Sequence, residues 1–329
     1  MANLETTYLG LKLKNPLVAA SSGLTGSLEK IREISAAGIG AIVLKSIFEE
    51  QINNEVGAML SEGSGNMDYP EAEDYIRNYL RDNSITKQTE LVTQAKQITD
   101  VPVIASVNCI AGEEWTSFAS DLEAAGADAL ELNIFYLPVN RNQSAESVEQ
   151  LYTGVVHAVK SKIGIPLSVK IGSHFTNVVG MAEKLKGSGA SGLVMFNRFY
   201  EPDINLEKLE LTASEVFSTP QELRHGIRWT GLVSSQVPGL EIAATTGIHD
   251  GTAVIKQLLA GAAVTQLCST LYLNGTPAIG QILEELTAFM KKWNFRRIED
   301  FRGRLSYKNL TDPMMYERSQ FMKYYSNRK

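Results

Sequence analysis

The chain has 329 residues, of which 44% are hydrophobic and 21% are charged, and these proportions are those of a globular protein. Its formal net charge of −6 disfavours a nucleic-acid partner, because phosphate binding needs a basic surface. The two cysteines, Cys109 and Cys268, predict no disulfide framework and fit a reducing cytoplasm. We see neither a signal peptide nor an apolar stretch of about 18–20 residues, so we expect a cytoplasmic protein without membrane contact.

Short runs of alternating or apolar residues predict the strands. Residues 5–8 and 11–13 alternate around Gly10 and predict a small N-terminal hairpin within residues 1–14. Eight apolar runs then predict parallel strands that are buried on both faces. They are residues 16–20, 41–45, 103–107, 129–133, 167–170, 192–196, 241–244 and 263–268.

Helical patterns lie between these strands, and one type of junction recurs. The helices are predicted at residues 27–37, 85–98, 113–125, 145–162, 178–185, 221–234, 251–259 and 278–292. Gly38, Gly126, Gly189 and Gly261 each follow a helix and precede a strand by two or three residues, where a positive φ suits glycine. The repeat favours an α/β fold of the (β/α)8 TIM barrel type. A doubly wound sheet is the alternative, although no Gly-x-Gly-x-x-Gly follows the first strand.

Two long segments interrupt the alternation, after strands two and six. Residues 48–84 and 199–220 would lie on the carboxyl-terminal face of a barrel, where we favour lids over plain surface loops. The C-terminal extension, residues 293–329, is rich in aromatic residues and is expected to pack on the barrel or on a partner subunit. We therefore expect a single domain over residues 1–329.

Polar residues follow the predicted strands at their exits. They are Ser21, Ser22, Lys45, Ser46, Asn108, Asn133, Lys170 and Asn197. In a barrel these side chains would meet at one mouth and line a polar site. No His, Cys, Asp and Glu cluster has metal-ligand spacing, so we expect no metal. Lysine and amides instead suit a flavin, because a cation stabilises the negative charge of the reduced ring.

A phosphate site is predicted after strands seven and eight, where barrels often bind phosphate. Thr246 and Gly247 follow strand seven, Ser269 and Thr270 follow strand eight, and a helix is predicted to begin at Asp250 or Gly251. Small residues and a helix N-terminus let backbone N–H groups approach an anion. A plain glycine turn before a helix explains the same residues equally well.

The order and spacing of these segments resemble the dihydroorotate dehydrogenase family, which consists of FMN-dependent (β/α)8 barrels. The resemblance covers nearly the whole chain and rests on Asn15-Pro16, Ala20-Ser21-Ser22-Gly23, Lys45-Ser46, Glu131-Leu132-Asn133, Val169-Lys170, Asn197, Ser218-Thr219-Pro220, Thr246-Gly247-Ile248 and residues 258–262. It implies oxidation of dihydroorotate to orotate in pyrimidine biosynthesis. It implies FMN contacts from Ala20, Ser21, Lys45, Ser46, Asn108, Asn133, Lys170, Thr219, Thr246, Gly247, Ser269 and Thr270. It implies substrate contacts from Lys45, Asn66, Asn133 and Asn197, with Lys45 also catalytic.

The sequence departs from the family at the catalytic base. The family has Cys or Ser a few residues after the position of Asn133, whereas this chain has Ile134-Phe135-Tyr136-Leu137-Pro138. Tyr136 is nearest to the base position, but a phenol is a weak base near neutral pH. Glu71 also stands where the family has an amide, and its charge would repel a substrate carboxylate. His174 and His249 are alternative acid–base groups, although ordinary loop histidines explain them better.

These departures leave several functions open. The chain is an enzyme of the dihydroorotate dehydrogenase type with an altered base, a flavin oxidoreductase for another dihydropyrimidine-like substrate, or a flavin-binding protein without dehydrogenase activity. It has no iron–sulfur motif, so electron transfer to NAD would need a separate electron-acceptor protein. We expect a homodimer that acts on a small-molecule substrate.

Overall fold

A closed ring of eight parallel strands forms the centre of the protein. The computed structural model describes residues 2–48, 70–108, 114–198 and 201–317. The barrel strands, numbered one to eight below, are Leu17–Ala19, Ala41–Val43, Val103–Asn108, Ala129–Asn133, Leu167–Ile171, Gly192–Met195, Glu241–Ala244 and Val264–Leu267. Strand eight pairs with strand one, with Leu267 opposite Ala19, so the ring is closed. The predicted (β/α)8 barrel is therefore confirmed, and the doubly wound sheet is wrong.

Helices surround the barrel because the connections between parallel strands must cross over its outer face. In the described part of the chain they are Leu28–Ala36, Pro70–Ile98, Glu114–Ala124, Ala145–Lys160, Val178–Gly187, Leu223–Gln236, Gly251–Ala260, Ser269–Asn274 and Pro277–Lys292. The four junction glycines all have positive φ, from +95° at Gly38 to +121° at Gly261. Each helix-to-strand turn therefore adopts the conformation for which glycine was predicted.

The N-terminal hairpin closes the amino-terminal end of the barrel. Its strands, Thr6–Tyr8 and Leu11–Leu13, pair antiparallel. Tyr8, Leu9 and Leu13 are buried in one cluster with interior residues of the barrel strands, and the Leu9 N–H donates to the carboxylate of Glu241. The hairpin therefore fills the bottom of the barrel and leaves only the opposite end open for a ligand.

The two long segments differ from their predicted form where the structure describes them. The helix predicted at residues 85–98 begins at Pro70. Proline suits a first helical turn, and Ala72, Tyr75, Ile76, Tyr79 and Leu80 follow the helical spacing, so the prediction began the helix too late. Residues 49–69, which include Asn66, lie outside the described residues. In the second segment, Pro202–Asn205 and Glu210–Ala213 form an antiparallel hairpin.

The extension after helix Pro277–Lys292 packs against the barrel as far as residue 317. The N–H groups of Gly303 and Leu305 donate to the carbonyls of Leu258 and Leu259, each at 2.8 Å. Phe301 is fully buried. Phe321 and Tyr324 lie outside the described residues. None of the described helices combines the length and the apolar character needed to cross a bilayer.

Candidate active site

A cavity of about 460 Å³ opens at the carboxyl-terminal end of the barrel, which is where barrel enzymes place their active sites. Its volume lies in the usual range for small-molecule sites. Six of the predicted site residues line it, and they come from strands one, five, six, seven and eight. These residues are Ser21, Lys170, Asn197, Thr246, Gly247 and Ser269.

Three amides and a lysine stand side by side at the exits of strands three to six. Asn108 pairs in register with Asn133, and Asn133 pairs in register with Lys170. The side-chain amide of Asn197 donates to Asn133 Oδ1. Asn108 Oδ1 is buried and has no hydrogen-bond partner within the described residues. A buried amide oxygen without a partner is costly, so this atom indicates a place where a ligand donor would bind.

Lys170 carries the positive charge of this wall. Its side chain is partly buried. Among the described residues, the Lys170 ammonium group has no salt-bridge partner and no hydrogen-bond partner. Its charge nevertheless lowers the pKa of Glu131 and of Cys268 against the larger effect of burial, which raises the pKa of both. A cation held at a cavity wall without a direct anionic partner is suited to stabilise negative charge on a ligand.

A chain of serine hydroxyls connects the exits of strands one, two and three. Ser46 Oγ lies 3.0 Å from Ser21 Oγ and 2.6 Å from Ser106 Oγ, and the Ser46 N–H donates to Ser21 Oγ at 2.9 Å. Ser46 itself is buried. Ala20, also buried, donates its N–H to Leu267. Both residues therefore support the cavity wall at Ser21 from behind.

A cradle of small residues lies on the opposite side of the cavity, after strands seven and eight. Thr246 and Gly247 have φ angles of +72° and +75°, so the chain turns sharply there. Ser218 Oγ accepts from the Gly247 N–H at 3.3 Å and lies 3.1 Å from Ser269 Oγ. A Cβ on Gly247 would lie 2.3 Å from the backbone nitrogen of Leu223. Only glycine therefore fits this turn, which brings backbone and hydroxyl groups to the cavity.

The helix predicted to begin at Asp250 or Gly251 does begin at Gly251, but its N-terminus already has an anionic partner. The Asp250 carboxylate accepts from the Ala253 N–H at 2.7 Å. Thr270 is fully buried, and its hydroxyl donates to the carbonyl of Ile248. The turn at Gly247 and the serines, rather than this helix or Thr270, therefore provide the groups of the cradle.

Three other predicted residues lie away from the described cavity wall. Lys45 is exposed and its aliphatic stem lies over Gly26. Thr219 is exposed, and its N–H donates to Glu222 Oε1 at 2.6 Å at the start of a short 3-10 helix. Tyr136 is partly buried, and its hydroxyl donates to Gln143 Oε1 at 2.8 Å.

The two histidines considered as acid–base groups occupy different positions. His174 stacks on Phe175 with the ring centroids 4.9 Å apart. Burial lowers the pKa of His174, and a hydrogen bond with the Tyr136 backbone opposes this shift. His249 Nε2 lies 3.2 Å from Ser218 Oγ. His174 is therefore near the predicted base position, and His249 supports the cradle.

Several wall residues were not predicted from the sequence. Ser218, Gln266 and Cys268 line the cavity, as does Arg198, whose Nε donates to Glu222 Oε2 at 3.1 Å. Gln266 had a detectable signal, because a polar residue in the middle of an apolar strand faces either a polar interior or a ligand. Ser218 lies directly beside the predicted Thr219, and of the two only Ser218 lines the cavity.

The wall fits flavin mononucleotide in three respects. The cradle at Ser218, Gly247 and Ser269 offers small, hydrogen-bonding groups for the phosphate. Lys170 offers a cation for the edge of the ring that becomes negative on reduction. Asn108 Oδ1 and Gln266 Oε1 have no hydrogen-bond partner within the described residues, so both oxygens can accept hydrogen bonds from the ring.

Comparisons with known proteins agree with this geometry. The sequence model of a family described as dihydroorotate dehydrogenase matches residues 3–290. The catalytic subunit of dihydroorotate dehydrogenase B (NAD(+)) from Thermoplasma volcanium is 27% identical over 314 residues, covering 92% of this chain and 98% of that protein. The corresponding subunit from Thermoplasma acidophilum is 26% identical, covering 92% and 99%. Dihydroorotate dehydrogenase A (fumarate) from Limosilactobacillus reuteri is 27% identical, covering 88% and 94%.

Proposed function

The chain belongs to the dihydroorotate dehydrogenase family, and from this premise we propose that it oxidises dihydroorotate to orotate, with an altered catalytic base. It is an FMN-dependent oxidoreductase. The proposed reaction removes a hydride and a proton from two adjacent ring carbons and places the enzyme in pyrimidine biosynthesis. When bound, FMN supplies the two-electron acceptor for the hydride.

The observation that carries the proposal is that Lys170 and Asn197 line one cavity and that Asn133 is hydrogen-bonded to Asn197. Asn133 and Asn197 are already hydrogen-bonded to each other, so their remaining amide groups have a fixed orientation. Two oriented amides match the alternating N–H and C=O groups at the edge of a dihydropyrimidine ring. Lys170 places a positive charge beside them, where it stabilises the negative charge that arrives with the hydride.

Tyr136 is the proposed proton acceptor because it stands nearest in sequence to the family's base position, and its hydroxyl would have to turn from Gln143 towards the cavity to act. Its hydroxyl proton is engaged with Gln143 at 2.8 Å, and accepting a substrate proton requires the phenolate. We therefore expect slow reduction of the flavin by the substrate. His174, which contacts the Tyr136 backbone, is placed to help orient this segment.

A second candidate function is oxidation of a related ring that is not dihydroorotate. Residues 134–138 contain neither Cys nor Ser, and Arg198 follows Asn197 directly on the cavity wall. The charge of Arg198 is largely engaged, since its Nη1 donates to the carbonyls of Glu215 and Val216 at 2.7 and 3.1 Å. Its charge is therefore less available to a substrate carboxylate, which favours a ring without a carboxylate.

Anaerobic mixing distinguishes the two candidates. The FMN-loaded protein is mixed with dihydroorotate or with dihydrouracil, which lacks the carboxylate, and loss of the visible flavin absorbance is followed. Faster bleaching by dihydroorotate supports the main proposal, and bleaching by dihydrouracil alone supports the second. The absence of bleaching by either, in protein that dithionite does reduce, would refute both.

We also propose a homodimer that passes electrons to a separate protein or to a soluble acceptor. The proposal draws on the family resemblance. Sedimentation at several protein concentrations tests the dimer. Reoxidation of the reduced flavin by fumarate, compared with NAD, tests whether a partner protein is required for NAD.

A further inference from the structure

One carboxylate lies inside the barrel directly below the candidate active site. Glu131 is two residues before Asn133 on strand four, so both side chains face the barrel interior. Its side chain is fully buried, and it pairs in register with Ser168, which is two residues before Lys170 on strand five. Glu131 therefore occupies the layer below the amide and the lysine that line the site.

The hydrogen bonding of this carboxylate is incomplete. Glu131 Oε2 accepts from Gln266 Nε2 at 2.6 Å, whereas Oε1 has no partner within the described residues. Gln266 is 1% exposed and also lines the cavity. Burying an ionised carboxylate with a single hydrogen bond is costly, so its charge state depends strongly on its few neighbours.

The ionisable neighbours come from four parts of the fold. Lys170 on strand five is the cation that acts on Glu131, and Tyr8 of the N-terminal hairpin lies on its other side. Cys268, directly after strand eight, interacts with Lys170 in turn, and Glu241 on strand seven interacts with Tyr8. Burial raises the pKa of Glu131, and Lys170 and Gln266 only partly oppose this. Lys170 therefore faces one principal anion, from below the cavity floor.

We propose that Glu131 is a positioning residue that controls how much positive potential Lys170 presents to the bound flavin, with Gln266 holding the carboxylate in place. In a low-dielectric interior, an anion one layer below a cation cancels part of its field. An ionised Glu131 lowers the flavin reduction potential, and a protonated Glu131 raises it. The inference rests on the FMN site and not on the oxidation of dihydroorotate.

Redox titration of the FMN-loaded protein with dithionite and reference dyes tests this role without any substrate. In Glu131→Gln we expect reduced FMN to bind about tenfold more tightly relative to oxidised FMN, which corresponds to a potential about 30 mV higher for a two-electron couple. The matched control is Glu241→Gln, the same change at a barrel carboxylate near the closed end. An unchanged potential in Glu131→Gln, or an equal shift in the control, would overturn the inference.

The pH dependence provides a readout that a purely structural role would not move. The wild-type potential should show an inflection that Glu131→Gln lacks, and the two proteins should converge at acid pH. If Glu131→Gln does not fold, Gln266→Met removes the hydrogen-bond donor to Glu131, together with the Oε1 acceptor on the cavity wall, and should shift the wild-type inflection to higher pH. An inflection that stays in place in Gln266→Met contradicts the role of Gln266. Protein that binds FMN but is not bleached by dihydroorotate refutes the proposed function alone, whereas wild-type protein that binds no FMN refutes this inference.

Discussion

The hydroxyl of Ser218 accepts a hydrogen bond from the backbone N–H of Gly247 at 3.3 Å. This contact joins the segment before helix Leu223–Gln236 to the turn after strand seven, and it places a hydroxyl group on the cavity wall. The next residue, Thr219, is exposed and lies outside that wall. One position along the chain therefore separates a ligand-facing group from a group at a helix start.

Ser218→Ala should weaken FMN binding by about tenfold, because one hydrogen bond to a charged group contributes about 1.5 kcal/mol. Thr219→Ala is the matched control. It should lower stability by up to about 1 kcal/mol through the helix start and leave FMN affinity unchanged. Fluorescence titration of apoprotein with FMN and thermal melts measure the two effects. A larger loss of FMN affinity in Thr219→Ala than in Ser218→Ala would support the sequence prediction that Thr219 contacts FMN.

Gly247→Ala should abolish tight FMN binding. The φ of +75° strains any other residue, and the added Cβ would lie 2.3 Å from the Leu223 nitrogen, so the turn must move. Gly126→Ala carries a similar strain at φ +97° but has no atom within 4 Å of the added Cβ. We expect both variants to lose about 1–2 kcal/mol of stability, but only Gly247→Ala to lose FMN. Equal FMN retention in both would argue against a phosphate cradle at this turn.

Lys170→Ala should lose FMN or make the bound FMN harder to reduce, since the cation at the cavity wall is removed. The measurement is the FMN content after purification, followed by the dithionite midpoint potential. Lys12→Ala, on an exposed position of the N-terminal hairpin, changes the net charge equally and should behave like the wild type. If the midpoint potential of FMN in Lys170→Ala equals that of the wild type, Lys170 does not act on the flavin.

Tyr136→Phe should reduce the rate of flavin bleaching by dihydroorotate at least tenfold, because phenylalanine has no oxygen that can accept the substrate proton. Tyr136→Cys should instead accelerate bleaching near neutral pH, since a thiol ionises at lower pH than a phenol. Stopped-flow absorbance across a pH series checks both. A Tyr136→Phe protein with wild-type rates would show that the proton is taken by another group.

The stability of Glu131→Gln should depend on pH in a defined direction. Burial raises the pKa of the Glu131 carboxyl, so the folded protein holds this proton more tightly than the unfolded chain does. The resulting stabilisation is complete below the unfolded pKa of about 4.3 and is lost as the pH rises through the folded pKa. Glutamine has no such proton, so the Tm of the variant relative to wild type should increase from about pH 4 to pH 8.

An exposed glutamate on the first helix gives the control for this series. Glu33 forms a surface salt bridge with Lys30 at 2.8 Å, and such pairs contribute little. The Tm of Glu33→Gln should therefore stay at a nearly constant offset from wild type over the same pH range. If the Tm offset of Glu131→Gln is equally constant, burial does not raise the pKa of the Glu131 carboxyl in the folded protein.

Local sequence patterns were sufficient to predict the barrel and to predict that the site lies at its carboxyl-terminal end. Strand periodicity, helix periodicity and the turn glycines are local properties, and Gly38 and Gly261 adopt the positive φ that their positions require. The exits at Asn133, Lys170 and Asn197 could be named because parallel strands place all their carboxyl ends on one side. The first turns of the long helix from Pro70 were missed although Tyr75, Ile76, Tyr79 and Leu80 have helical spacing, because the charged residues around them resemble a polar loop.

Local patterns could not predict which of these residues lie close together, because that depends on contacts between distant parts of the chain. Glu131 and Gln266 are far apart in sequence and meet because closure of the ring places strands four and eight opposite each other. Ser218 reaches the cavity and Thr219 does not because long-range contacts with Gly247 and Ser269 set the orientation of that segment. Local patterns fix the conformation of the backbone, but the direction in which a loop side chain points depends on packing against residues that are distant along the chain.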